Sequence, residues 1–382
     1  MHKNKKNNNV IYISYDGIFD ALGQSQILPY LLNISKIYKI YLITFEKNTA
    51  LYDNNNKYIY DLINKDNLIW IKIRYTQNFL IRFLYILYLF FIIFYLILFK
   101  KIRILHLRSY ISALIVWPIL QILKLKIIFD MRGFWPEEKV DRSNWKKSQY
   151  KYKFFKKIEK DILIKSKAII CLTIDAKKIL INRKLNISEN KIKVIPTCAD
   201  KNIFFYQNKN ITKKIIFSYV GTTYSAYNID KVFNVLSILK DKKINFELNI
   251  YTNDDLNLLK KRINKFDNLS NLITIKSLGR MALSSEIAKS DYGIFYLKDN
   301  ESIKASFPTK VSEYLLCGKP IICNKFNDHI NDVITNNEIG LVYNFSLEHI
   351  SLLESFIMNH KNDEKIVSRC LNFAKNNLEL NS

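Results

Sequence analysis

The sequence predicts an α/β protein of two domains, each built on a parallel sheet. Three observations predict it. Apolar runs of strand length alternate with helix-spaced segments along most of the chain. A length of 382 residues is enough for two separate cores. The stretch Ser290–Asn324, SDYGIFYLKDNESIKASFPTKVSEYLLCGKPIICN, holds a strand, a polar loop, a helix and a second strand, which is one βαβ unit.

The elements follow in order. Met1–Asn9 is basic and polar, and no apolar region of the right length follows it, so it does not read as a signal peptide. Val10–Ser14 is a strand, Tyr15–Gln24 a loop carrying Gly17 and Gly23, Ser25–Tyr38 a helical segment and Ile40–Phe45 the next strand. Loops at the carboxyl ends of strands line the ligand crevice of an open α/β sheet. Gly23 before a helix allows a close backbone approach, most simply to a phosphate. G-x-G-x-x-G is absent there, so this is not a dinucleotide fingerprint. Phe79–Phe99 is the most apolar stretch, with 17 uncharged residues from Phe83 onward. That lies at the lower edge for a membrane span. Arg82, three tyrosines (Tyr85, Tyr88 and Tyr95) and the strand Ile104–Leu107 that resumes the alternation favour a buried or interface-lying helix. Such a helix on a basic domain can dip into a lipid surface.

His106, Arg108 and Ser109 fall at the end of that strand. Asp130, Arg132, Phe134, Trp135, Glu137 and Glu138 fall behind the next one, Lys126–Phe129. Acids, an arginine and aromatics in that place suit a ligand's hydroxyls and rings rather than a core. Asn144–Asp161 interleaves Lys with Tyr, Phe and Trp, as a solvated helix face or a membrane-surface patch would. Ile192–Pro196 leads into Thr197-Cys198-Ala199-Asp200 and a polar linker near Lys201–Lys214. The second domain then opens with the strand Ile215–Val220 and Gly221-Thr222-Thr223. Phe246–Tyr251 and Ile273–Ser277 are strands around a helix at Asp254–Phe266, and Leu283–Lys289 is a short helix after Gly279-Arg280. Within Ser290–Asn324, Pro308 suits the first helical turn and Gly318 the position after the last. The loop Lys298–Ser306 thus delivers free N–H groups to a helix start, a phosphate site flanked by Lys304 and Lys310. Glu313, one turn in, is placed to accept hydrogen bonds from paired sugar hydroxyls.

Charge narrows the partners. The net charge is +25, and residues 1–205 carry 36 Lys+Arg against 15 Asp+Glu. Such a field suits an anionic membrane surface or nucleic acid, but no nucleic-acid motif accompanies it. The five cysteines include no C-x-x-C pair, which suits a reducing compartment with free thiols and argues against a zinc site.

P-T-K-x-x-E-Y-L-x-C-G-x-P-I-I, from Pro308 to Ile322, resembles the donor-binding signature of GT-B glycosyltransferases of the retaining family 4 type, the glycosyl transferases group 1. YDG…LGQSQ…LPYL, the D-M-R-G-F-W loop and I-P-T-C-A-D look like further elements of a bacterial surface-glycan subgroup. The resemblance implies a GT-B fold, with two Rossmann-like domains whose parallel sheets face across a cleft. Residues 1–205 would be the acceptor domain, 206–355 the nucleotide-sugar domain, and 356–382 a helix crossing back. It implies donor binding by Gly23, Gly221, Thr222, Arg280, Lys304, Ala305, Ser306, Phe307, Lys310 and Glu313. Asp130, His106, Arg132 and Lys310 are the catalytic candidates. The donor is a nucleotide diphosphate sugar, the acceptor a lipid-linked glycan at the cytoplasmic membrane face. No cofactor is implied, and D-x-D is absent, so no metal is required. The chain departs from the pattern in four places. Ala305 replaces the first Glu of E-x7-E, Cys198 a Gly, and Asp130 stands near a usual His. GTTYSAYNID also lacks the usual Arg and Lys. These departures keep open an epimerase or a non-catalytic nucleotide-sugar binder of the same fold.

Overall fold

The computed structural model describes residues 9–47, 57–65, 67–209 and 211–380, so all but the last residue of the basic N-terminal stretch lies outside the described residues. The chain divides into two compact units between Ile195 and Pro196, ahead of the boundary expected at 205.

In the first unit the strands are β1 (Asn9–Ser14), β2 (Lys39–Glu46), β3 (Leu68–Arg74), β4 (Ile104–Arg108), β5 (Lys126–Asp130), β6 (Ala168–Cys171) and β7 (Ile192–Val194). They form one parallel sheet in the order β3-β2-β1-β4-β5-β6-β7. The strands are apolar runs because helices cover both faces of such a sheet. In β2 every residue after Lys39 is buried. The order reverses between β1 and β4, which is where an open sheet binds its ligand.

The expected helix Ser25–Tyr38 is two helices, Ala21–Gln26 and Leu28–Ser35. Pro29 is the cause: it lacks the N–H that a continuous helix would need there, and it sits at the start of the second helix instead. Helix Phe79–Leu98 connects β3 to β4, and Asn78 caps it by accepting from the N–H groups of Leu80 (3.0 Å) and Ile81 (3.2 Å). Only Leu89, Ile93, Leu96 and Ile97 are buried, a narrow stripe in its second half. Phe79 is 70% exposed and Phe91 61%. Among the described residues it is the one helix long and apolar enough to cross a membrane.

The Lys-aromatic stretch is helical only at Tyr150–Lys165. Its rings are partly spent on packing: Trp145 meets Trp135 edge-on at 5.2 Å and Phe155 at 5.5 Å, and Phe154 meets Trp117 at 6.1 Å. Lys156 is held between Glu137 and Glu159.

The second unit repeats the topology. Its strands are β8 (Ile215–Val220), β9 (Phe246–Tyr251), β10 (Ile273–Lys276), β11 (Tyr292–Phe295), β12 (Ile321–Cys323) and β13 (Gly340–Val342). They run parallel in the order β10-β9-β8-β11-β12-β13. The helix expected at Asp254–Phe266 is shorter, Leu256–Ile263, because the Asp255 side chain caps it. Arg280–Ala288 begins three residues earlier than expected, on Gly279. The helix at the centre of the sequence motif is Thr309–Leu316, with Pro308 at the cap itself rather than in the first turn. Gly318 follows the last turn at φ 70°. Helix Glu364–Asn377 packs against Thr309–Leu316 within this unit. All five cysteines are free thiols.

Candidate active site

Each sheet presents a cluster at the carboxyl ends of its strands. In the first unit β4 and β5 deliver His106, Arg108, Asp130 and, one step past β5, Arg132. The Asp130 carboxylate lies 3.5 Å from Arg108 Nη1, 3.9 Å from Arg132 Nη1 and 3.9 Å from His106 Nε2. Arg108 Nη2 and Arg132 Nη2 both donate to Gln26 Oε1, at 2.9 and 2.5 Å. His106 packs on the Tyr12 ring at 4.6 Å. The structure therefore brings all three first-unit candidates together, Asp130, His106 and Arg132, and adds Arg108 and Gln26. Burial alone would raise the Asp130 pKa, but Arg132, His106 and Arg108 outweigh it and hold the carboxyl below its usual range. Asp130 is thus a charge and a hydrogen-bond acceptor at neutral pH, and a weak proton acceptor.

Gly23 has a packing reason within its own loop. A Cβ on it would stand 2.0 Å from the Gly17 carbonyl oxygen and 2.6 Å from Ile18 Cα, so its bareness serves the packing of its own loop. That loop's amides are also occupied. Glu46, fully buried at the end of β2, accepts from Ile18 N–H at 2.7 Å, Phe19 N–H at 3.4 Å and the Thr44 hydroxyl at 2.5 Å. A carboxylate from the neighbouring strand thus holds two amides of the loop that carries Gly17 and Gly23. Sequence pattern alone gave no sign of Glu46, which reads as the polar end of an apolar strand.

In the second unit the site is built around Lys310, in the first turn of Thr309–Leu316. Its ammonium is buried, has no hydrogen-bond partner among the described residues, and lies over three rings: Tyr227 at 3.9 Å, Tyr219 at 4.6 Å and Phe295 at 5.2 Å. Burial pushes its pKa down to about 7, against the pull of Glu313 and Asp254. Glu313, one turn on, is also buried, and burial raises it while Arg280 and Lys310 pull it down. Arg280 has all three guanidinium nitrogens buried without a hydrogen-bond partner, above the Phe204 ring at 5.4 Å. Two under-used cations thus bracket one carboxylate. Gly221, at φ 99°, turns the chain beside them, and a Cβ there would lie 3.5 Å from Lys310 Nζ.

The loop after β8 brings Tyr227 over the lysine by bonding to the end of β11: Asn228 N–H donates to Tyr296 O at 3.0 Å, and Lys298 N–H to Ala226 O at 2.8 Å. Tyr219 and Tyr227 were not foreseen. Tyr219 sits in a strand run and Tyr227 in a loop, and only folding makes them one cage.

Several expected donor contacts are already committed. Asp254 Oδ2 accepts from Thr223 N–H at 2.5 Å, Thr223 Oγ1 at 2.8 Å and Thr222 Oγ1 at 3.3 Å, so these groups hold the loop first. Ser306 N–H donates to Ile303 O at 2.9 Å, closing the 3-10 turn Glu301–Ala305. The amide row expected at Ala305–Phe307 is therefore broken at its middle. Ala305 and Phe307 are buried, and Lys304 is exposed. Thr197 Oγ1 pins the loop by donating to Phe307 O at 2.8 Å, and Asn327 Nδ2 donates to Ser306 O at 2.9 Å. Cys198 is not among the positive-φ residues, so the backbone makes no demand for glycine there.

Comparison with known proteins agrees with the fold. Residues 200–376 match the family described as "Glycosyl transferases group 1". No curated protein matches the chain. The fold resembles sucrose-phosphate synthase from Thermosynechococcus elongatus, with a TM-score of 0.73 and 12% identity over 98% of this chain and 96% of that one. It also resembles a glycosyltransferase from Rickettsia africae, with a TM-score of 0.71 and 16% identity over 98% and 95%. Anabaena HepE in complex with UDP and glucose gives a TM-score of 0.68 and 10% identity over 97% and 95%. The fold is GT-B, and the second unit is the part of the chain that matches the group 1 glycosyl transferases.

Proposed function

We propose that the protein moves a sugar from a nucleotide diphosphate sugar to a lipid-linked glycan acceptor, with retention of configuration and without a metal, in surface-polysaccharide synthesis at the cytoplasmic membrane face. One observation carries the donor half: the unpartnered Lys310 ammonium, buried in its ring cage one turn from Glu313. A buried cation without a bond is costly, and an anion that reaches it recovers that cost. The leaving diphosphate is such an anion. Its developing charge would be stabilised by Lys310 together with the helix start at Thr309. Glu313 would accept from ribose hydroxyls, with Arg280 beside it. HepE, similar in fold, is described in complexes with UDP and with UDP-glucose, which supports a nucleotide sugar as donor.

The first unit carries the acceptor. Asp130 and His106 would contact its hydroxyls, and Arg132 its charge. The exposed apolar half of Phe79–Leu98, on a unit rich in Lys and Arg, would lie in the interface of an anionic membrane. WaaG, described as involved in lipopolysaccharide biosynthesis, has the same fold at 13% identity.

The test is sugar transfer from a panel of nucleotide sugars. Turnover that Glu313→Ala and Lys310→Ala both abolish supports the assignment, and unchanged turnover in both removes it. Product formed without any acceptor would favour the epimerase reading, which the missing loop Arg and Lys and first Glu keep in play.

A further inference from the structure

We propose that Arg108 and Arg132 form a binding site for a phosphate group in the first unit. The inference rests on the acceptor reading of that unit and adds the chemical class of one of its contacts.

Two guanidiniums, the buried Arg108 and the half-buried Arg132, are poorly served. Both converge on one neutral oxygen, Gln26 Oε1. Their distances to carboxylates are 3.5 and 3.6 Å for Arg108 and 3.9 Å for Arg132. Charge-assisted N–H···O bonds run about 2.7–2.9 Å, so none of these pairs is a bond of that kind. Arg108 Nε, His106 Nε2 and Asp130 Oδ1 are buried without a hydrogen-bond partner. Within the cluster, two guanidiniums face one buried carboxylate. The remaining carboxylate, Asp16, sits on the rim with its side chain 38% exposed, where water screens it. The Arg108 side chain is 3% exposed and the Arg132 side chain 17%.

Position and geometry agree. The pair stands at the carboxyl ends of β4 and β5, beside the switch point of the sheet. Arg132 holds a left-handed backbone, φ 59°, in the turn that directs its side chain. Two forked guanidiniums match the oxygens of a phosphate, which accepts several N–H bonds at once. The phosphate has two possible sources, the acceptor's own phosphate or the donor's diphosphate.

The experiment follows thermal stabilisation of the full-length protein by inorganic pyrophosphate, hexyl phosphate and UDP. Four proteins are compared: wild type, Gln26→Glu, Arg132→Gln and Lys310→Met. Gln26→Glu places a carboxylate under both guanidiniums. It is expected to raise the unfolding temperature without ligand and to weaken hexyl phosphate and pyrophosphate at least tenfold. Hexyl phosphate binding that survives Lys310→Met but not Gln26→Glu or Arg132→Gln identifies the acceptor's phosphate. UDP binding lost in Gln26→Glu as well identifies the donor's diphosphate at the same pair. Responses to both phosphates that persist in Gln26→Glu and Arg132→Gln, or that vanish wholly in Lys310→Met, overturn the site. Failure of the donor reading would show separately, as a wild type indifferent to UDP and to a panel of other nucleoside diphosphates.

Discussion

The two units share a strand order and differ in how they treat charge at the same place. In the first, the loop after β1 closes on its own carboxylate, Glu46, and the arginines behind β4 and β5 lean on Asp130. In the second, the loop after β8 closes on Asp254, and Lys310 is left with rings alone. A parallel sheet supplies the crevice in both cases. What the crevice can hold is decided by which charges the loops leave unpaired.

The largest effect should come from breaking the second unit's charge. Lys310→Met or Glu313→Ala is expected to lower the rate of sugar transfer about 100-fold or more, the cost of losing one preorganised contact to developing charge. Steady-state kinetics would read it, and Arg132→Gln should leave nucleoside diphosphate affinity in place unless the two clusters share a ligand.

Next comes the first unit's internal anion. Glu46→Ala removes the acceptor for two loop amides and a hydroxyl, with an expected loss of about 3 kcal/mol of stability. Denaturant titration would measure it. Gly23→Ala should act on the same loop, because its Cβ meets backbone rather than open crevice. A Gly23→Ala protein as stable as wild type would contradict this packing.

The pH dependence distinguishes the clusters further. Lys310 has a folded value of about 7, below its ordinary 10.5. Between those values the unfolded chain binds a proton that the folded one does not, so this group's contribution to stability rises with pH through that window. Donor affinity runs the other way. An anion prefers the ammonium, so nucleoside diphosphate binding should weaken above about pH 7, by up to about tenfold per unit, with proton uptake at pH 8. Calorimetry in buffers of different ionisation heat would detect that uptake. Lys310→Met should flatten the profile.

The smallest expected effect concerns the membrane. Phe83→Ser and Phe91→Ser each remove an exposed ring worth roughly 1.5–3 kcal/mol if it enters lipid. Together they should cut binding to anionic vesicles at least tenfold and leave the unfolding temperature unchanged, since neither ring is buried. Equal binding by the double variant would remove the helix from the interface.

By itself the sequence determined the α/β class, the alternation that makes both sheets parallel, and the segment Pro308–Ile322 with Lys310 and Glu313 in one helical turn. These are local properties: strand runs, caps and i, i+3 spacing are written in contiguous residues. The tertiary structure decided the rest. It showed that Gly23 makes room for Gly17 and Ile18, that Glu46 and Asp254 occupy the loop amides and hydroxyls, and that Tyr219, Tyr227 and Phe295 enclose one ammonium. It also put Gln26 between two arginines more than eighty residues away in the chain. Each of these depends on which strands lie side by side, and the pairing of distant strands sets the partners of a charge, whereas sequence spacing sets only its neighbours on the same element.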